Sequence, residues 1–128
     1  MPSEATLSSI STSIRYWNYK TPKIHLYESD STADINVYFT NETLPTGALA
    51  DTNTVYNANN VATSAEIRVF MPRITTESLP KILCHEMGHA LGLAHFDGTA
   101  PSVMYSYYNN CASSPQQVDI DGLNSLYS

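Results

Sequence analysis

No apolar run in this chain of 128 residues approaches the ~20 needed to cross a bilayer as a helix. Basic residues are scarce: six Lys and Arg stand against twelve Asp and Glu, the net charge is -6, and no basic cluster occurs. Nucleic acid and anionic membrane surfaces need Lys or Arg patches, so neither is expected as a partner. Charged residues of both signs make up only 14% of the chain, while Ser, Thr and Asn are abundant. The first twenty residues lack the basic start and apolar stretch of a signal peptide, so either none exists or it has been removed. Repeats and low-complexity segments are missing too. Cysteine is confined to Cys84 and Cys111. These either form one disulfide, the favoured reading and one that suits an exported, extracellular protein, or stay as buried thiols. The length is that of one domain, expected to span residues 1–128 and to act as a monomer.

What is present concentrates in His85-Glu86-Met87-Gly88-His89-Ala90-Leu91-Gly92-Leu93-Ala94-His95. At 3.6 residues per turn, His85 and His89 fall one turn apart on one helix face, so both imidazoles reach a common point. Six further helical residues would lift His95 about 9 Å along the axis, too far to share ligand bonds of roughly 2.0 to 2.1 Å. The helix must therefore stop. Gly92 is placed for that, since glycine takes the left-handed conformation that ends helices and lets the chain turn back. Three neutral histidines then hold one zinc ion with a fourth position open for water, the mark of a catalytic rather than a structural site. Glu86, beside the first ligand, is placed to accept a proton from that water and return it to a leaving amine. The chemistry implied is amide hydrolysis.

The rest of the chain reads as a frame for this stretch. Leu7, Ile10, Ile14 and Trp17 give residues 4–19 an apolar helical stripe, and Pro22 ends it. Strands are expected at Ile24 to Tyr27, at Ile35-Asn36-Val37-Tyr38-Phe39 and at Ala65 to Phe70. Residues 47–52 read either as a loop or as an edge strand whose free backbone pairs with an extended substrate. Asn53 to Ser64 reads as an Asn- and Thr-rich connection. His25, the only histidine outside the motif, is expected at the surface. Ser78 is the expected N-cap of the zinc helix, with Pro80 in its first turn. Cys84 lies about 100° round from His85 and should face away from the metal. Ser114 as N-cap, Pro115 and Gln117 suggest a capping box for a last helix that buries Ile120, Leu123, Leu126 and Tyr127.

The pattern H-E-x-x-H-x-x-G-x-x-H is the signature of the metzincin metallopeptidases, and residues 85–95 resemble it at every specified position. Met104-Tyr105, nine residues past the third histidine, resembles the Met-turn of that clan. Thr21-Pro22 before a strand, Ala33-Asp34-Ile35, and Asp119-Ile120-Asp121-Gly122-Leu123 make the chain most similar to a minimal matrixin, the matrix metalloproteinase type. The resemblance implies an α+β fold: a small mixed twisted sheet, an N-terminal helix, a zinc-site helix, a Met-turn and a C-terminal helix. It implies that Ala48, Leu49, Ala50 and Asp51 form a substrate-pairing edge, that Tyr107 or Tyr108 lines a pocket below the zinc, and that Asp119 braces the Met-turn by hydrogen bonding. Its activity would be zinc-dependent endopeptidase cleavage of polypeptides.

Departures from that pattern are specific. Only eight positions separate Phe39 from Gly47, with no His and Asp cluster between them, so a second zinc and calcium ions are not expected. Phe96 replaces the usual Ser, and Ser106 the usual Pro. No Tyr lies two positions after Met104, so no tyrosine ligand is expected. The family's inhibitory cysteine segment is missing, and its first strand would precede residue 1. A non-catalytic, zinc-stabilised module that holds a peptide or inhibitor in the same cleft is the alternative, and an intact Glu86 weighs against it. An exopeptidase would need a group that captures a substrate terminus, and no candidate is present.

Overall fold

Strand β1 (Ile35–Thr40), strand β2 (Ala50–Tyr56) and strand β3 (Ala62–Phe70) form one mixed sheet in the order β1-β3-β2. The computed structural model describes residues 4–29 and 32–127. Helix α1 (Glu4–Lys20) precedes the sheet, and helices α2 (Leu79–Ala90) and α3 (Gln117–Leu126) follow it. β1 runs parallel to β3, with Val37 opposite Ile67, and β2 runs antiparallel, with Thr52 opposite Ile67. Among the described residues β2 is thus an edge strand, with no strand paired to one side of its backbone. The β2-β3 hairpin closes on Asn57, whose side-chain oxygen accepts from the N–H groups of Asn59 and Val61 at 2.8 and 3.1 Å.

Period-two alternation decides which sheet face is inner. Ala65, Ile67 and Val69 of β3 are buried with Ala50 of β2, and they meet Ile82, Leu83 and Met87 of α2 in one apolar core. α1 lies against α2. The face it turns inward keeps most of the predicted stripe, with Trp17 buried and Ile10 and Ile14 packed against the core, but it is rotated so that Thr6, Ser9 and Ser13 are buried too while Leu7 is 49% exposed. Small side chains let the two helices approach closely, and Trp17 fills the remaining space with its indole N–H donating to the Cys84 carbonyl at 3.1 Å.

Among the described residues three strands form where the sequence suggested four. Residues 24–29 are irregular, because the Asn18 side chain takes both backbone groups of Leu26, accepting from its N–H and donating to its C=O at 2.7 Å each. A strand partner is not needed there. His25 is exposed, as expected. β2 reaches Tyr56, well into the stretch read as a connection, since Thr52 and Thr54 find acceptors on α2 for their inward hydroxyls. The cap of α3 is shifted by two residues: Gln116 is the N-cap, and Asp119, not Gln117, completes its capping box.

The favoured Cys84 to Cys111 bridge is not formed. Both thiols are free and buried: Cys84 faces Trp17, while Cys111 Sγ lies 3.6 Å from His85 Nδ1. Burial pushes both thiols up, so neither ionises readily. In native buffer neither should alkylate quickly, and in denaturant without reductant both should. A mass unchanged after that second treatment would mean that the bridge exists.

Candidate active site

Helix α2 carries the site, and its two ends are set by local chemistry. Ser78 occupies the N-cap but spends its hydroxyl on Thr75, and Pro80 sits in the first turn. At the other end Gly92 adopts φ +106. Its N–H donates to the His89 carbonyl at 3.0 Å, and Leu93 N–H donates to the Gly88 carbonyl at 2.9 Å, the paired bonds of a Schellman stop. α3 backs this turn: a Cβ on Gly92 would lie 3.3 Å from Leu126 Cδ1, and the Tyr127 hydroxyl donates to the Leu91 carbonyl at 2.7 Å.

The reversal returns His95 to the helix. Its ring centroid lies 5.3 Å from that of His85 and 4.7 Å from that of His89, and one ligand nitrogen from each of the three falls within 4.8 Å of the others. His85 Nδ1–H donates to the Val103 carbonyl and His89 Nδ1–H to the Leu93 carbonyl, each at 2.8 Å. Both Nε2 atoms therefore present lone pairs, and these face one another at 3.2 Å. Two acceptors at that spacing repel unless a cation lies between them; tetrahedral bonds of 2.0 to 2.1 Å place ligand nitrogens about 3.3 Å apart. The donor set fits zinc. Burial lowers the pKa of His85, which favours the neutral form that a metal ligand needs.

Glu86 is 3% exposed. Thr52 Oγ1 donates to its Oε1 and the Tyr108 hydroxyl to its Oε2, each at 2.6 Å, and Oε2 lies 3.8 Å from His85 Nε2. Burial first, then the charge of Glu86, push the Tyr108 phenol up, so it remains a donor. Beneath the histidines, Met104 is buried against the helix backbone at Gly88, where a Cβ would come within 2.4 Å of its Sδ. The Met104 turn hangs from Asp119, whose Oδ1 accepts from Ser102 Oγ at 2.6 Å and whose Oδ2 accepts from Val103 N–H at 2.9 Å. Tyr105 closes the preceding loop by donating to the carbonyls of Gly98 and Ala100.

A cleft of about 790 Å³ opens over this floor, with Ala48, Leu49 and Ala50 on one wall and Tyr107 and Tyr108 on the other. Tyr107 is 74% exposed at its mouth. Asp51, read from sequence with the substrate edge, turns its side chain to the outer sheet face, where it accepts from both Arg68 Nε (2.9 Å) and Nη2 (2.5 Å). Only its backbone belongs to the edge. Unforeseen in sequence were the Thr52 hydroxyl, the Thr54 hydroxyl that donates to the His89 carbonyl at 2.8 Å, and the carbonyls of Val103 and Leu93. Nothing in the residue pattern marks a backbone oxygen, and a strand threonine reads as propensity alone.

Two histidines one helical turn apart and a third brought back by a glycine stop could hold a metal ion, with a buried carboxylate beside them. The matrixin family model matches residues 1–128, and the chain belongs to the matrixin family. It is accordingly a zinc metalloprotease by family, acting on polypeptides. A search of curated proteins finds no match.

Proposed function

We propose that residues 1–128 form a single endopeptidase domain in which His85, His89 and His95 hold one catalytic zinc ion and Glu86 is the general base and then the general acid. The observation that carries this reading is the placement of Glu86 Oε2 3.8 Å from His85 Nε2, at the foot of a free strand edge. When bound, zinc supplies Lewis-acid chemistry, acidifying water and polarising a carbonyl oxygen. An extended peptide lies along Ala48 to Asp51 and pairs with the unused backbone groups of that edge. As substrate enters, the Tyr108 hydroxyl leaves Oε2 and the phenol becomes part of the pocket wall with Tyr107. Glu86 Oε2 then takes a proton from water as the water oxygen bonds to the peptide carbonyl carbon. The same oxygen returns the proton to the amide nitrogen as the C–N bond breaks. Met104 and Tyr105 form the Met-turn floor, and the bond from Val103 to Asp119 keeps that floor in register.

No helix among the described residues is long and apolar enough to cross a membrane. The setting we propose is extracellular, as is typical of matrixins, with the protein acting as a monomer. Cleavage of a mixed peptide library is expected at internal bonds, to stop with a chelator and to return with added zinc. Cuts confined to chain ends would point to an exopeptidase. Stoichiometric zinc with no turnover would favour the peptide- or inhibitor-binding module.

A further inference from the structure

Glu86 has two carboxylate oxygens with two different neighbours, and the difference assigns them different work. Oε1 accepts from Thr52, on β2; Oε2 accepts from Tyr108, in the loop across the cleft. Thr52 belongs to the frame. Its backbone is registered on Ile67 of β3, and two residues on, Thr54 ties the same strand to the His89 carbonyl of α2. Tyr108 by contrast spans the opening, with its hydroxyl 3.5 Å from the Ala50 carbonyl on the opposite wall. A peptide lying along that edge must displace it.

We propose that Thr52 is a positioning residue for the reaction: its hydroxyl holds Glu86 Oε1 against the strand and thereby turns Oε2 toward the histidine nitrogens. The inference rests on Glu86 being the base. A terminal carboxylate torsion is broad and nearly two-fold, so α2 alone does not fix which oxygen faces the cleft. The Thr52 bond removes that freedom. At 2.6 Å it has the length of a hydroxyl bond to a charged oxygen, whereas the alternative acceptor, the Glu86 carbonyl, lies at 3.3 Å. The β-branched side chain is stiff at χ1, so the hydroxyl is itself held in place. Thr52 shares the inward face of β2 with Ala50 and Thr54, so changing its side chain leaves the edge backbone intact. The loss should therefore fall on kcat.

The test compares Thr52→Val and Thr52→Ser in the zinc-loaded full chain, using a peptide taken from cleavage profiling. Valine keeps the shape without the hydroxyl, and kcat should fall about 10- to 100-fold, in line with a misplaced catalytic group. KM should stay within about twofold and zinc stoichiometry at the wild-type value, since the edge and the three ligands are untouched. Serine restores the donor, and kcat should return to within about threefold of wild type. An undiminished kcat in Thr52→Val, or a Thr52→Ser protein as slow as Thr52→Val, overturns the proposal. So does a deficit confined to KM or to zinc content. Crystal structures supply a readout that needs no turnover: the Glu86 carboxylate should rotate or adopt two orientations with valine and keep one with serine. If the wild-type protein cleaves no peptide, the protease reading falls and the structures alone decide. A single wild-type orientation in the valine variant then defeats the orienting bond, and a rotated one sustains that bond while the role in the reaction falls with the protease reading.

Discussion

Glu86→Ala protein is expected to bind zinc at wild-type stoichiometry and to cleave peptides between a hundredfold and about ten-thousandfold more slowly, the range set by removing a general base. The carboxylate accepts from Thr52 and Tyr108, and the histidine cup is assembled without it, since both helix-borne rings are held by backbone carbonyls. Loss of cleavage with metal retained therefore separates base from ligand. Glu86→Gln is the sharper comparison: the amide keeps the shape and can still accept from Thr52, but it cannot take a proton. Cleavage by a clean preparation of either variant at the wild-type rate would remove Glu86 from the chemistry.

The second large effect is expected on stability. Asp119 is 3% exposed and accepts from Ser102 Oγ, Val103 N–H and Gln116 N–H at 2.6, 2.9 and 2.9 Å. Asp119→Ala strands these donors, the first two beside a buried turn, at about 1 to 3 kcal/mol for each buried group left unpaired. A total loss of about 3 to 5 kcal/mol is expected from the urea midpoint, a large part of the ~5 to 15 kcal/mol that holds an ordinary domain. Asp119→Asn keeps one acceptor and should cost less. Zinc affinity should fall with stability, because the Val103 carbonyl that Asp119 steadies also holds the His85 ring. A change below about 1 kcal/mol would mean that Ser102 and the Val103 N–H find other partners.

The site was more legible in the sequence than its frame, for a physical reason. Helical periodicity and the need for a glycine stop place His85, His89 and His95 by covalent geometry alone, and Gly92 behaves as that argument demands. Elements that depend on a partner were harder to read. The apolar alternation of Ile24 and Leu26 resembles a strand, yet one asparagine side chain satisfies Leu26 instead. The Asn- and Thr-rich run at 53–56 resembles a loop until α2 supplies acceptors for inward hydroxyls. In α1, the bulkiest apolar stripe predicts Leu7 inside, but close helix approach favours Ser9 and Ser13. Cysteine pairing depends on which neighbours each sulfur packs against, Trp17 for Cys84 and His85 for Cys111, and sequence spacing does not carry that information.

The main-chain clasps on the two helix-borne imidazoles have one more consequence. Because Val103 and Leu93 orient those rings through bonds internal to the polypeptide, neither imidazole swivels freely, and a bound ion meets two ligands whose rotational freedom has already been given up in folding.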